Sequence, residues 1–105
     1  VLRSGTVALT GDQGFDLDSG QTEGERDIYR SNDDALTPIN DSRLELSSGT
    51  PSKQVCRALQ RWDDNTVRNL GAGQWLCVRT SDGRYGRLNI TAVGDTLTLA
   101  YTVWT

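Results

Sequence analysis

Cys56 and Cys77 carry the most readable chemistry in this chain. They stand 21 residues apart, too far for the CxxC spacing of a metal or redox centre. Two outcomes are open to them. Bonded, they close a loop that stabilises the fold by roughly 3 kcal/mol in the chain-entropy picture and assign the protein to an oxidising compartment. Unbonded, they are small buried hydrophobes of a cytosolic protein. The apolar content is lean, 35%, so a covalent tie suits so small a core, and a disulfide is the expectation. Histidine is absent. That removes Ser–His and Cys–His nucleophile pairs, histidine general bases and nearly every usual zinc site. No catalytic residue is assigned, and the chain is read as not an enzyme.

The acids come next. Asp16, Asp18 and Gly20 form D-x-D-x-G, followed by Glu23, Glu25 and Asp27. Calcium takes several hard oxygens from one tight loop, which makes Asp16 and Asp18 weak calcium candidates. The spacing is not that of an EF-hand, since Gly20 occupies the fifth position. The expected reading is a strand with outward acids ending at a glycine turn, with no metal and no cofactor assigned. Asp33-Asp34 and Asp63-Asp64 are adjacent acids at turns, whereas glycoside chemistry needs two carboxylates facing across a cleft. Arg79, Arg84 and Arg87 flank Asp82-Gly83 and are weak candidates for holding a carboxylate or phosphate; a solvated hairpin is the plainer reading. Trp75 and Tyr85 are the aromatics that periodicity leaves free for a sugar-gripping face, while Trp62 and Tyr101 read as core.

Net charge is −3. Residues 1–52 hold four Arg against ten acids, and residues 53–105 hold seven basic residues against four Asp. The two halves are expected to meet and balance across one fold. An acidic chain of this kind is not a general nucleic-acid binder, which needs a dominant basic patch. No run approaches the ~20 apolar residues of a membrane span, so no direct membrane insertion is expected. The length suits one domain, 1–105, expected to be excised from a longer protein.

These residues must be positioned by a mainly β fold. Alternation of apolar and polar residues marks strands at 4–10, 15–18, 27–30 and 43–47, with an edge strand at 36–39 interrupted by Pro38. After Gly49 the period changes. Thr50 and Pro51 suit an N-cap and first helical position, and Val55, Leu59 and Trp62 recur at helical spacing beside Cys56. The prediction is a short helix at about 51–62. Then come a strand at 74–80, a turn at Asp82-Gly83, a strand at 84–93, a turn at Gly94-Asp95 and a strand at 96–104. This is a C-terminal three-strand antiparallel meander. About seven strands and one helix predict an antiparallel sandwich or open barrel.

Three stretches stand out together: Gly14-Phe15-Asp16-Leu17-Asp18-Ser19-Gly20, then Leu76-Cys77-Val78-Arg79-Thr80-Ser81-Asp82-Gly83-Arg84, and the closing Tyr101-Thr102-Val103-Trp104. The pattern resembles an extracytoplasmic all-β module of soil-type bacteria, appended to larger proteins that include membrane-anchored serine/threonine kinase-like sensors. The resemblance spans nearly the whole chain. It implies an extracytoplasmic location, secreted or on the outer membrane face, with other domains of a parent protein alongside. It matches Cys56 and Cys77 to the module's cysteine pair, and it carries no catalytic residue. The expected role is a non-catalytic sensor or interaction module for a protein or glycan ligand. A carbohydrate- or wall-binding module with Trp75 and Tyr85 in one groove is the first alternative, and a calcium-binding β module the second.

Overall fold

The computed structural model describes residues 1–62 and 65–105. The elements are β1 (Arg3–Thr10), β2 (Gly14–Phe15), β3 (Ile28–Asn32), β4 (Ala35–Pro38), β5 (Arg43–Ser47), α1 (Lys53–Arg57), β6 (Trp75–Arg79), β7 (Tyr85–Val93) and β8 (Thr96–Val103). They form a five-stranded sheet in the order β1-β8-β7-β6-β5 and a three-stranded sheet β2-β3-β4. Every pairing is antiparallel. The sheets do not close into a barrel, and the architecture is that of a sandwich. The predicted meander is present as β6-β7-β8, and Pro38 ends β4 at the edge of the small sheet.

Alternation assigns the faces. Leu76 and Val78 on β6, Leu88 and Ile90 on β7, and Leu97, Leu99 and Val103 on β8 are buried on the face turned to the small sheet. They meet Phe15, Leu17, Ile28 and Leu36 from β2, the loop after it, β3 and β4 in one core. Full burial of such side chains contributes ~1.5–3 kcal/mol each. The opposite face of the large sheet carries Trp75, Cys77, Tyr85 and Arg87, and α1 lies over it against β7. The Cys56–Cys77 disulfide is formed, with Cα atoms 5.4 Å apart. It pins the helix to the outer face of the sheet.

The helix is shorter than its sequence period promised. It occupies Lys53–Arg57, not 51–62, and Ser52 caps it in place of Thr50, accepting the Val55 N–H at 3.2 Å. A single turn presents one position to the sheet, and the disulfide makes that position Cys56. Val55 is therefore 52% exposed instead of packed inward. Leu59 and Trp62 follow as half-buried irregular chain. Isolated short helices are marginal, so the extent of this one is set by what it can rest on.

Three other segments depart from simple strand alternation. The 15–18 strand shrinks to β2, because Asp16 Oδ1 accepts the N–H groups of Asp18 and Ser19 at 3.0 and 3.3 Å and curls the chain away from a ladder. Leu46, on edge strand β5, is 47% exposed. Ala92 faces solvent because the β7–β8 register slips between Ile90 and Ala92, which reverses the alternation beyond it. The hairpin after β6 closes with the Thr80 N–H on the Arg84 carbonyl at 2.8 Å, and Gly83 takes a left-handed φ of 83° there.

Candidate functional site

The outer face of the large sheet ends in a groove of about 390 Å³ between α1, the 80–84 turn and the end of β8. Its lining is Lys53, Arg57, Gly83, Arg84, Tyr85, Trp104 and Thr105. Lys53 and Arg57 are one helical turn apart, so both project from the same side of α1. Tyr85 and Trp104 come from β7 and the residue after β8, held together by the Trp104 N–H on the Tyr85 carbonyl at 2.9 Å. Among the described residues, the lining holds three basic side chains and no acidic one, although Arg84 is paired with carboxylates just outside it.

Aromatic rings continue beyond the groove on the same face. Trp62 stands beside Tyr85 with centroids 6.2 Å apart. The Arg87 guanidinium lies 5.6 Å from the Trp75 ring centre and 5.5 Å from that of Trp104, a cation held between two rings. Arg87 also donates to the Pro51 carbonyl at 3.1 Å, which anchors the start of the helical segment. Arg84 bonds the carboxylates of Asp18 and Asp82 at 3.2 and 3.0 Å. Its bond to Asp18 above all, with Asp82 adding, pushes its pKa further up. Lys53 Nζ donates to the Thr105 carbonyl at 2.6 Å.

The sequence candidates divide accordingly. Arg84 and Tyr85 line the groove. Trp75 and Arg87 lie on the same face but form the ring–cation–ring stack outside the lining, and Arg79 is exposed opposite Tyr85. Trp75 and Tyr85 therefore do not share the groove; Trp104 accompanies Tyr85. Lys53, Arg57 and Trp104 were missed. The i, i+4 spacing of the first two was available as a signal, while Trp104 read only as the end of a strand.

A second polar centre lies where the small sheet meets the hairpin. Asp27 is 0% exposed. Its Oδ2 accepts the Leu17 N–H and its Oδ1 the Ser81 N–H, both at 2.7 Å. Its carbonyl accepts from Ile39 N–H at 2.9 Å and from the Ser42 hydroxyl. One carboxylate thus ties together three segments far apart in sequence. Burial pushes its pKa up to about 6, with the negative field of Asp18 adding, against the lowering pull of the Ser81 and Leu17 donors. One carboxylate oxygen from each of Asp16, Asp18 and Asp27 falls within 4.8 Å of the other two. The Asp33-Asp34 pair is set apart from this centre, with Asp33 exposed and bonded to Arg30 at 3.5 Å. The Asp63-Asp64 pair lies outside the described residues.

A second depression, about 510 Å³, is lined by Thr6, Val7, Phe15, Tyr101 and the 20–23 loop. Glu23 is its one charged lining residue among those described. No helix among the described residues is long and apolar enough to cross a membrane. No family model, curated protein or solved structure matches this chain.

Proposed function

We propose that this chain is a non-catalytic interaction module of the extracytoplasmic space that holds an acidic glycan in the groove between α1 and the 80–84 turn. The observation that carries the reading is the lining itself: Lys53 and Arg57 beside Tyr85 and Trp104, with no acidic side chain among the described lining residues and with Arg84 at the rim already paired to Asp18 and Asp82. Flat rings give a sugar face something to lie on, and guanidinium and ammonium groups receive carboxylate or phosphate substituents. The disulfide supports an oxidising compartment. A non-catalytic role is supported by the absence of histidine and by carboxylates that cluster in a buried centre instead of facing across either depression. The sequence pattern adds the context of a parent protein anchored in the membrane, such as a kinase-like sensor.

Titration with trigalacturonic acid, followed by tryptophan fluorescence, tests the reading, because Trp62 and Trp104 flank the groove. The expected result is saturable binding that weakens as salt rises and that Arg57→Glu reduces at least ~10-fold, since one charge-assisted contact is worth about 1.5–3 kcal/mol. Neutral chitohexaose should bind weakly or not at all. Equal binding of the two sugars, or none of either, would sink the proposal.

A further inference from the structure

The acid centre between the small sheet and the 80–84 hairpin is a second site, distinct from the groove in chemistry. We infer that Asp16, Asp18 and Asp27 form a binding site for a single calcium ion. Two ligands of one calcium sit about 2.3–2.6 Å from it, so opposite oxygens lie no more than about 5 Å apart. The three carboxylate oxygens here lie within 4.8 Å of one another, close enough to converge on one ion.

The independent sign is a buried carboxylate oxygen with no hydrogen-bond partner. The Asp18 side chain is 9% exposed. Arg84 takes its Oδ1 at 3.2 Å, and its Oδ2 is buried with no hydrogen-bond partner. A buried carboxylate oxygen without a donor is strongly unfavourable unless a cation meets it. The neighbouring Ser19 Oγ is also buried without a partner and offers a further hard oxygen on the same loop. The nearby basic groups are already committed. Arg84 divides itself between Asp18 and Asp82, and the Arg3 Nε–H is directed at the Asp18 carbonyl at 3.4 Å.

The rest of the loop is held in place beforehand. The Asp16 N–H bonds the Gln21 carbonyl and the Gly20 N–H the Asp16 carbonyl, both at 2.7 Å. Asp27 is fixed by Leu17 and Ser81 and keeps a lone pair on each oxygen. An all-oxygen set without Cys or His selects a hard ion. Placement of the ligands on a turn and a strand end, with no octahedral frame, favours calcium over magnesium.

The test uses the whole chain with its disulfide intact, stripped with EDTA and dialysed, then titrated with CaCl₂ by calorimetry. One ion per chain is expected, with Kd on the order of 10⁻⁴ to 10⁻³ M, and a rise in Tm of roughly 5 °C at ten times Kd. MgCl₂ at the same concentrations should bind at least ~10-fold more weakly. Asp18→Asn should lose binding at least ~10-fold. Asp16→Asn, which keeps an oxygen to cap Asp18 and Ser19, serves as the second variant, and circular dichroism checks that both fold. Amide shifts on adding CaCl₂ to the unmutated protein locate the ion without relying on any variant, and should concentrate at 16–19, 27 and 81. No saturable heat and an unmoved Tm up to 10 mM (roughly ten times the weaker Kd) would overturn the site. So would shifts confined to other segments, unaltered affinity in both variants, or magnesium binding as tightly as calcium.

Discussion

At the scale of single residues, Asp27 and Arg30 decide how the two sheets stay together. Asp27 is buried with its carboxyl raised from the ordinary 3.8 to about 6. A folded-state value above the unfolded one means the native protein holds this proton more tightly. Stability from this group is therefore greatest below about pH 4, falls as pH rises through the 3.8 to 6 window and stays reduced above it, by an amount on the order of 3 kcal/mol. In EDTA, the Leu17 and Ser81 amide resonances should titrate with a midpoint near 6, because each donates to this carboxylate. A midpoint near 4 at both amides would show the carboxyl to be unperturbed. Arg30 is buried on β3, and its guanidinium reaches the carbonyls of Gly94 at 2.6 Å, Asp95 at 3.0 Å and Asp33 at 3.3 Å. It caps the β7–β8 turn from across the sandwich. Lysine carries a single compact ammonium and cannot span three carbonyls in a plane. Arg30→Lys should lower stability by about 2 kcal/mol in urea melts, within the range for lost charge-assisted bonds; a change below ~0.5 kcal/mol, the level of ordinary surface substitutions, would refute this role.

At the scale of elements, the disulfide does for α1 what its length cannot. One helical turn has almost no stability of its own, and Val55, Leu59 and Trp62 do not form the packed stripe that their spacing implied. Cys77→Ser should therefore lower global stability by roughly 3 kcal/mol. It should also release the helical segment before the sheet melts, so that amides at 55–58 lose exchange protection while those of β7 keep it. Since Lys53 and Arg57 form one wall of the groove, glycan affinity should fall with it. Melting curves that coincide with and without reductant would contradict the claim. The strands were legible because alternation on β6, β7 and β8 is nearly unbroken and the turns between them carry Asp-Gly and Gly-Asp. The short β2 and the helix end were not: β2 is cut short by a local competition in which Asp16 captures the amides of Asp18 and Ser19, and the helix is settled by a contact outside its own segment, Cys56 with Cys77. The groove was half legible for the same reason. Arg84 and Tyr85 flank an obvious turn, whereas Lys53, Arg57 and Trp104 join them only once β8 and α1 are laid beside β7. The cross-sandwich roles of Asp27 and Arg30 gave no local signal, since Ser81 and Asp95, which they reach, are 54 and 65 residues away.

At the scale of the whole molecule, the first and last strands are neighbours. β1 pairs with β8 along its full length, from Arg3 opposite Val103 to Thr10 opposite Thr96. The acidic first half and basic second half are thus interleaved, with Asp18 on Arg84 as their direct ion pair. β1 supplies Leu9, 0% exposed, and Val7 to the inner face, and Arg3 to the loop that carries Asp18. Removing residues 1–10 uncovers Leu97, Leu99 and Tyr101 on one side and leaves β8 paired to β7 alone. Loss of one buried leucine alone costs about 2–5 kcal/mol, against a total of about 5–15 kcal/mol for a domain. The opened strand β8 is also an unpaired edge with apolar side chains, a template for association with other chains. The shortened chain should therefore show no cooperative thermal transition by circular dichroism and should run as oligomers in size-exclusion chromatography. A monomeric truncation melting within a few degrees of the full chain would mean that the core closes without β1, and that the pairing of the chain's two ends is not what holds the sandwich shut.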